Sequence, residues 1–253
     1  MINSIDYQWR IIIIRVNLTY SIMKPFIFFD LGQTLIDEWD YINYFDKLVL
    51  ETLNGYGAKI DYKNYITLRN NILFNRKTGS SGFIDIVLIM AQLILPKGYD
   101  LIILEKLKNN LSENKRKLIK LYREVPYIIP LLSKNYSLGI ISNNSSGSAN
   151  LLVKNHLNQY FKTICLSENI GVRKPNSKIF LKAIEDAIIS KEQCIMVGDR
   201  LDIDIYPANE LGFKTIRTLN SIYKVQKPLN KKEEPLVEIN TLNELPYILS
   251  SFF

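Results

Sequence analysis

The chain alternates between short unbroken apolar runs and longer stretches in which apolar positions recur every three or four residues. The first kind is clearest at Phe26-Ile27-Phe28-Phe29, four apolar residues with no alternation that stop at Asp30. Such a run predicts a strand buried on both faces, as in a parallel sheet. Comparable runs predict strands at 136–141, 163–166, 193–197, 213–219 and 236–239. Helical patterns separate them. A short helix is expected at 125–132 with Pro126 at its first turn, and another starts near Ser148. Further helices are expected at 179–189 and at 205–211, the second ended by Gly212. Thr241 with Glu244 at capping-box spacing opens a closing helix. The stretch 223–235 reads as a polar surface loop.

Between the first two core strands the period changes. Ile42, Phe45, Leu48, Val49 and Leu53 follow a helical spacing that Gly55 and Gly57 stop. Tyr65, Ile66, Leu68, Ile72 and Leu73 repeat it over 62–74. Gly79-Ser80-Ser81-Gly82 is a turn. The stretch 84–95 is apolar nearly all round and predicts a buried helix, ended by Pro96-Lys97-Gly98. Asp100 caps a fourth helix over 101–122, with its Lys and Arg residues on an exposed face. A helical block of about 80 residues is too large for a crossover between parallel strands. The expected division is therefore an α/β core of residues 23–37 and 124–253, a doubly wound parallel sheet of Rossmann-like type. Residues 38–123 form an all-helical cap domain over the C-terminal ends of the strands.

Residues 1–22 fit this scheme poorly. Ile11 to Ile14 is apolar, but Asp6, Arg10, Arg15 and Asn17 interrupt it. The run is too short for a membrane span and lacks the cleavage pattern of a signal peptide. It reads as an N-terminal extension or an extra edge strand, with Met23 as the expected functional start.

Composition narrows the function without naming it. The 253 residues are 47% hydrophobic and 23% charged, ordinary for a soluble globular chain. The formal charge of +7 and pI of about 9.2 are spread through lysine-rich helices and not gathered in one aromatic-interleaved patch. That argues against nucleic-acid binding and favours small anionic substrates. Cys165 and Cys194 each sit in an apolar run. They read as core residues and not as a metal or redox pair, which fits a reducing, cytoplasmic compartment. The single histidine, His156, lies at a helix end and reads as a surface or capping residue.

Four polar stretches then claim the chemistry. Asp30 ends the first strand and is followed by Gly32 and Thr34; Ser142 and Asn143 end the second. Lys174 precedes Pro175 at a helix start. Asp199, Asp202 and Asp204 follow Gly198, and such closely spaced carboxylates repel one another unless a hard cation with oxygen ligands relieves them. Each stretch has a plain alternative, respectively a turn, an N-cap cluster, a solvated lysine and a charged capping loop. In a doubly wound sheet, however, strand C-terminal ends converge on one crevice. A carboxylate, hydroxyl and amide donors, an ammonium and an acidic metal site in one place suit phosphoryl transfer.

Asp30-Leu31-Gly32-Gln33-Thr34, Ser142-Asn143, Lys174-Pro175 and Gly198-Asp199 to Asp204, in that order, resemble the four motifs of the haloacid dehalogenase-like (HAD) hydrolase superfamily. The helical insertion after the first motif resembles the cap of its first subfamily. The likeness covers roughly residues 25–250. It implies that Asp30 is the nucleophile and a Mg2+ ligand, and that the Gly32 carbonyl is another ligand. It implies phosphate-positioning roles for Thr34, Ser142 and Asn143. Lys174 would hold Asp30 and the phosphoryl group. Asp199 would complete the metal site with Asp204, Asp202 being a competing choice. The implied activity is magnesium-dependent hydrolysis of a small phosphorylated metabolite through an aspartyl-phosphate, with no nucleic-acid or membrane partner. Oligomeric state is not readable.

One position departs from the pattern. The family's phosphatases usually carry a second aspartate, a general acid and base, where this chain has Gly32. Such help is typically worth about 10²–10⁴-fold. Its loss bears on turnover and not on binding. Two rivals follow: a 2-haloacid dehalogenase, whose halide leaves without a proton, and a binding protein that keeps the phosphate site with little or no turnover.

Overall fold

The computed structural model describes residues 24–252, so the extension at 1–22 and the expected start at Met23 lie outside the described residues. In chain order the strands are β1 (Phe26–Phe29), β2 (Ile36–Asp37), β3 (Lys120–Leu121), β4 (Ser137–Ser142), β5 (Phe161–Leu166), β6 (Cys194–Gly198), β7 (Lys214–Thr218) and β8 (Val237–Ile239). Six form one parallel sheet in the order β5-β4-β1-β6-β7-β8. β1 lies at its centre, with Phe29 level with Ile140 of β4 and Val197 of β6.

The four β1 side chains divide between the two faces. Ile27 and Phe29 join Ile140, Val197 and Ile216 under the helices Val125–Ser133 and Leu245–Ser250. Phe26 and Phe28 join Ile141, Cys165 and Met196 under the helix Ser177–Ala187. All four are buried, as the unbroken run requires. Burying one phenylalanine is worth about 1.5–3 kcal/mol, so this strand anchors the site that begins one residue later. The chain is thus the α/β doubly wound core expected from its sequence.

The helices Trp39–Gly55, Tyr62–Phe74, Phe83–Ile94 and Tyr99–Leu118 build a second apolar cluster around Phe45, Val49, Tyr65, Leu73, Met90 and Ile103. The fourth ends at Leu118, short of the expected 122. Ile119 turns extended there, and β3 pairs antiparallel with β2. This two-stranded ribbon, absent from the sequence reading, is where the helical block leaves and rejoins the core.

Other boundaries differ in smaller ways. The helix expected near Ser148 starts at Ser146, β5 begins at Phe161, and the helix Tyr206–Glu210 is entered through a π turn at Leu201–Ile205. The stretch 223–235 is not a polar surface loop throughout. Tyr223, Gln226 and Glu233 are buried. The Gln226 Oε1 accepts from the Leu201 N–H at 3.0 Å, and Glu233 takes the Arg76 guanidinium of the helical block. Inward-facing polar side chains with partners look, in sequence, like solvated ones. Cys165 and Cys194 are buried and unpaired, and His156 is exposed just past a helix end with a left-handed φ of 56°. Among the described residues no helix is long and apolar enough to cross a membrane.

Candidate active site

The site is assembled from the C-terminal ends of β1, β4 and β6. Asp30 directly follows β1, and its N–H donates to the Val197 carbonyl at 2.9 Å. That bond continues the ladder and fixes the direction of the carboxylate. Ser142, the last residue of β4, donates from Oγ to Asp30 Oδ1 at 2.7 Å. The Lys174 Nζ donates to the same Asp30 oxygen at 2.6 Å, to Asp204 Oδ1 at 2.5 Å and to the Ile141 carbonyl at 2.9 Å. All three ammonium protons are therefore used, and the rotatable point charge becomes a fixed one.

Lys174 is fully buried. Burial pulls its ammonium down, but the charges of Asp204 and Asp30 more than offset this, leaving its pKa above the ordinary lysine value. Its backbone is gripped by Asn143, whose Oδ1 accepts from the Lys174 N–H at 2.6 Å and whose Nδ2 donates to the Lys174 carbonyl at 2.9 Å. Both ends of the Asn143 amide are thus spent on Lys174.

Asp30, Asp199 and Asp204 bring a carboxylate oxygen each to within 4.8 Å of one another, all three buried. With Lys174 the group carries a formal −2, from three carboxylates and one ammonium. Burial, then the charges of Asp204 and Asp30, push the Asp199 carboxyl well above the usual carboxylate range. Burial raises Asp204 as well, against the pull of Lys174. Such a set fits a hard divalent cation, whose charge would relieve the repulsion.

Asp202 lies apart from this cluster. It forms an ion pair with Arg200 at 2.6 Å and accepts from Gln226 at 3.2 Å. Burial alone would raise its carboxyl, but Arg200 holds it below the ordinary value. The π turn decides between the two acids. The Asp204 and Ile205 N–H groups both donate to the Arg200 carbonyl, at 3.1 and 3.2 Å, while the Asp204 Oδ2 accepts from the Arg200 N–H at 3.1 Å. Asp204 is thereby folded back beneath Gly198, where a β-carbon would stand 2.6 Å from Asp204.

Thr34 is buried on the loop after Asp30, its Oγ1 without a partner. Gly32 lines a cavity of about 130 Å³ together with Asp30, Asp199, Asn143, Glu38 and Lys115. Several contributors were not singled out in the sequence. Ser221 donates to Asp199 Oδ2 at 2.5 Å. Arg173 donates to the Ser80 carbonyl at 2.7 Å, and Arg200 to the Gly79 carbonyl at 3.2 Å, holding the turn of the helical block over the cavity. Glu38 and Lys115 pair across it at 2.9 Å. Only Glu38, a few residues beyond Asp30 at the end of β2, had a signal in its position.

A Rossmann-like core with acids at the ends of adjacent central strands defines a class of hydrolases. The family model of haloacid dehalogenase-like hydrolases matches residues 27–218, and this chain belongs to that family. A glyceraldehyde 3-phosphate phosphatase of Pyrococcus furiosus is 30% identical over 204 residues, 75% of this chain and 78% of that one. One of the same name from Methanopyrus kandleri is 33% identical over 122 residues, and there the chain spans about half of the relative's length, 52%. A protein of the same class from Bacillus subtilis, solved bound to magnesium, superimposes with a TM-score of 0.63 at 23% identity, covering 90% of this chain and 99% of that one.

Proposed function

We propose that the chain is a magnesium-dependent phosphomonoester hydrolase that works through an aspartyl-phosphate on Asp30. The observation that carries this reading is the convergence of three buried carboxylates at the strand ends, two of them, Asp30 and Asp204, held by one lysine. Asp30, Asp199, Asp204 and the Gly32 carbonyl would hold Mg2+, which when bound supplies charge neutralisation for the phosphoryl oxygens. Asp30 is the nucleophile. Ser142 and Lys174 fix the attacking carboxylate, and Lys174 offers its charge to the phosphoryl group. Asn143 acts through Lys174, and Thr34 keeps its hydroxyl for the phosphate loop. The small cavity and the phosphatase names of the relatives support a small phosphorylated metabolite as substrate. Residues 38–123 act as the cap, and the unpaired, buried thiols of Cys165 and Cys194 fit the cytoplasm.

The acidic cluster weighs against a dehalogenase, since displacement of halide by a carboxylate needs no metal. The test is phosphate release from an aryl phosphate and a panel of phosphorylated metabolites, with and without Mg2+. Magnesium-dependent release that disappears in Asp30→Asn is expected. Halide release from 2-chloro acids, or ligand binding with no release at all, would replace this reading with one of its rivals.

A further inference from the structure

Expelling an alcohol from phosphorus requires a proton for the departing oxygen, and neither Lys174 nor the two acids beside Asp30 are placed to give one. Lys174 spends its three protons on Asp30, Asp204 and a carbonyl. Asp199 and Asp204 face the metal site. His156 is remote from the cavity lining and exposed. Among the acids that line the cavity, Glu38 alone stands outside the cluster of three.

We propose that Glu38 is the proton-transfer residue of this site. Its side chain is buried, and Lys115 of the helical block holds Oε1 at 2.9 Å. The other oxygen, Oε2, lies 3.4 Å from where a β-carbon of residue 32 would stand. The absent side chain at Gly32 thus opens the space that the Glu38 carboxyl approaches, and this carboxyl reaches the nucleophile loop from a neighbouring strand end. Lys115 is a positioning residue: it orients one oxygen and leaves the other toward the cavity.

The proposal rests on the phosphatase reading and balances as follows. An Asp30 oxygen bonds to phosphorus as the bond to the alcohol oxygen breaks. The electron pair stays on that oxygen, which takes a proton from the Glu38 carboxyl, loaded from solvent before the first turnover and by the second step of each turnover after it. In the second step a water oxygen attacks phosphorus and passes its proton to the Glu38 carboxylate. The phosphorus–Asp30 bond breaks, its pair returns to Asp30, and Glu38 is protonated for the next turnover.

The experiment compares wild type, Glu38→Gln, Glu38→Ala and the double variant Glu38→Ala/Gly32→Asp, the last moving a carboxyl from one position to the other. Each is assayed with 4-nitrophenyl phosphate, whose leaving group needs little protonation, and with an alkyl phosphate that the wild type hydrolyses. For Glu38→Gln we expect a loss of about 10²–10⁴-fold on the alkyl substrate. On the aryl substrate we expect a burst of about one equivalent of nitrophenolate with accumulation of a phosphoenzyme that survives an acid quench and is released by hydroxylamine, because only the second step then lacks its base. The double variant should regain at least about tenfold over Glu38→Ala alone, a small part of that loss. Unchanged turnover, or equal losses on both substrates with no burst, would overturn the proposal. Should Glu38→Gln not fold, the double variant decides, since alkyl turnover no better than that of Glu38→Ala overturns it equally. A wild-type protein that releases no phosphate from any substrate fails the parent reading itself, a distinct result.

Discussion

Two of the buried charge clusters among the described residues are built on opposite terms. In the helical block, Asp46 pairs with Arg69 and also accepts from the Tyr65 hydroxyl at 3.0 Å. One negative charge meets one positive charge, and the surroundings are the apolar faces of helices. At the strand ends, three carboxylates lie together with one lysine, which pairs with Asp30 and Asp204 and leaves Asp199 to the Ser221 hydroxyl. The first arrangement is complete by itself. The second has a formal −2 in a buried place, where charge is costly and where burial raises the Asp199 carboxyl. Folding alone gives no reason to keep such an imbalance, because a matched pair or apolar side chains would serve stability as well. The imbalance is what the proposed Mg2+ would relieve.

This contrast can be broken at either end. The largest effect is expected from Asp30→Asn, which should lower phosphate release by on the order of 10⁴–10⁶-fold, the range seen when a nucleophile or its direct partner is removed. Asp46→Asn should leave release per folded molecule near wild type, and steady-state assays on both proteins test the difference. Stability should respond in the other sense. Asp46→Asn or Arg69→Met leaves one buried partner unmatched and should cost about 3–5 kcal/mol, whereas the double exchange Asp46→Leu/Arg69→Met should cost far less. Urea denaturation reads both.

A smaller effect sharpens the comparison at the site. Mg2+ at 100 times its dissociation constant should stabilise the wild type by about 2.7 kcal/mol, while Asp199→Asn should show little of that gain in thermal melts. The smallest is a pH trend. Burial raises Asp199 above its unfolded value of 3.8, so the folded state keeps a proton that the unfolded chain has already released. Stability of the metal-free protein should therefore fall as pH rises above that value and through the raised one. Asp199→Asn should flatten this slope, and added Mg2+ should oppose it. A slope of the opposite sign in the metal-free wild type would show that the three carboxylates are not in repulsion.

Much of the architecture was legible because it rests on local pattern. The unbroken run before Asp30 read as a strand buried on both faces, and the change of period after it marked the helical block. The meeting of Asp30, Ser142, Lys174 and Asp199 followed from one rule about strand ends. The choice between Asp202 and Asp204 was not legible. It depends on a π turn, in which one extra residue per turn reverses which acid points inward, and no hydrophobic period records that. Ser221, Lys115 and the buried Tyr223 and Gln226 were hidden for a different reason. Their partners lie far away in sequence, and a polar residue with a distant partner has the same local signature as a solvated one. The β2–β3 ribbon escaped because two-residue strands carry too few positions to show alternation.

Gly198 has a use that its chemistry would not suggest. No side chain can be added there without pushing Asp204 away, since a methyl group would stand 2.6 Å from its β- and γ-carbons. The position therefore works as a spacer of fixed width between a strand end and a charge. Gly198→Ala adds no charge and removes no donor, acceptor or nucleophile. It pushes the Asp204 carboxylate away from the strand end, and so separates what the site owes to the identity of its residues from what it owes to their spacing.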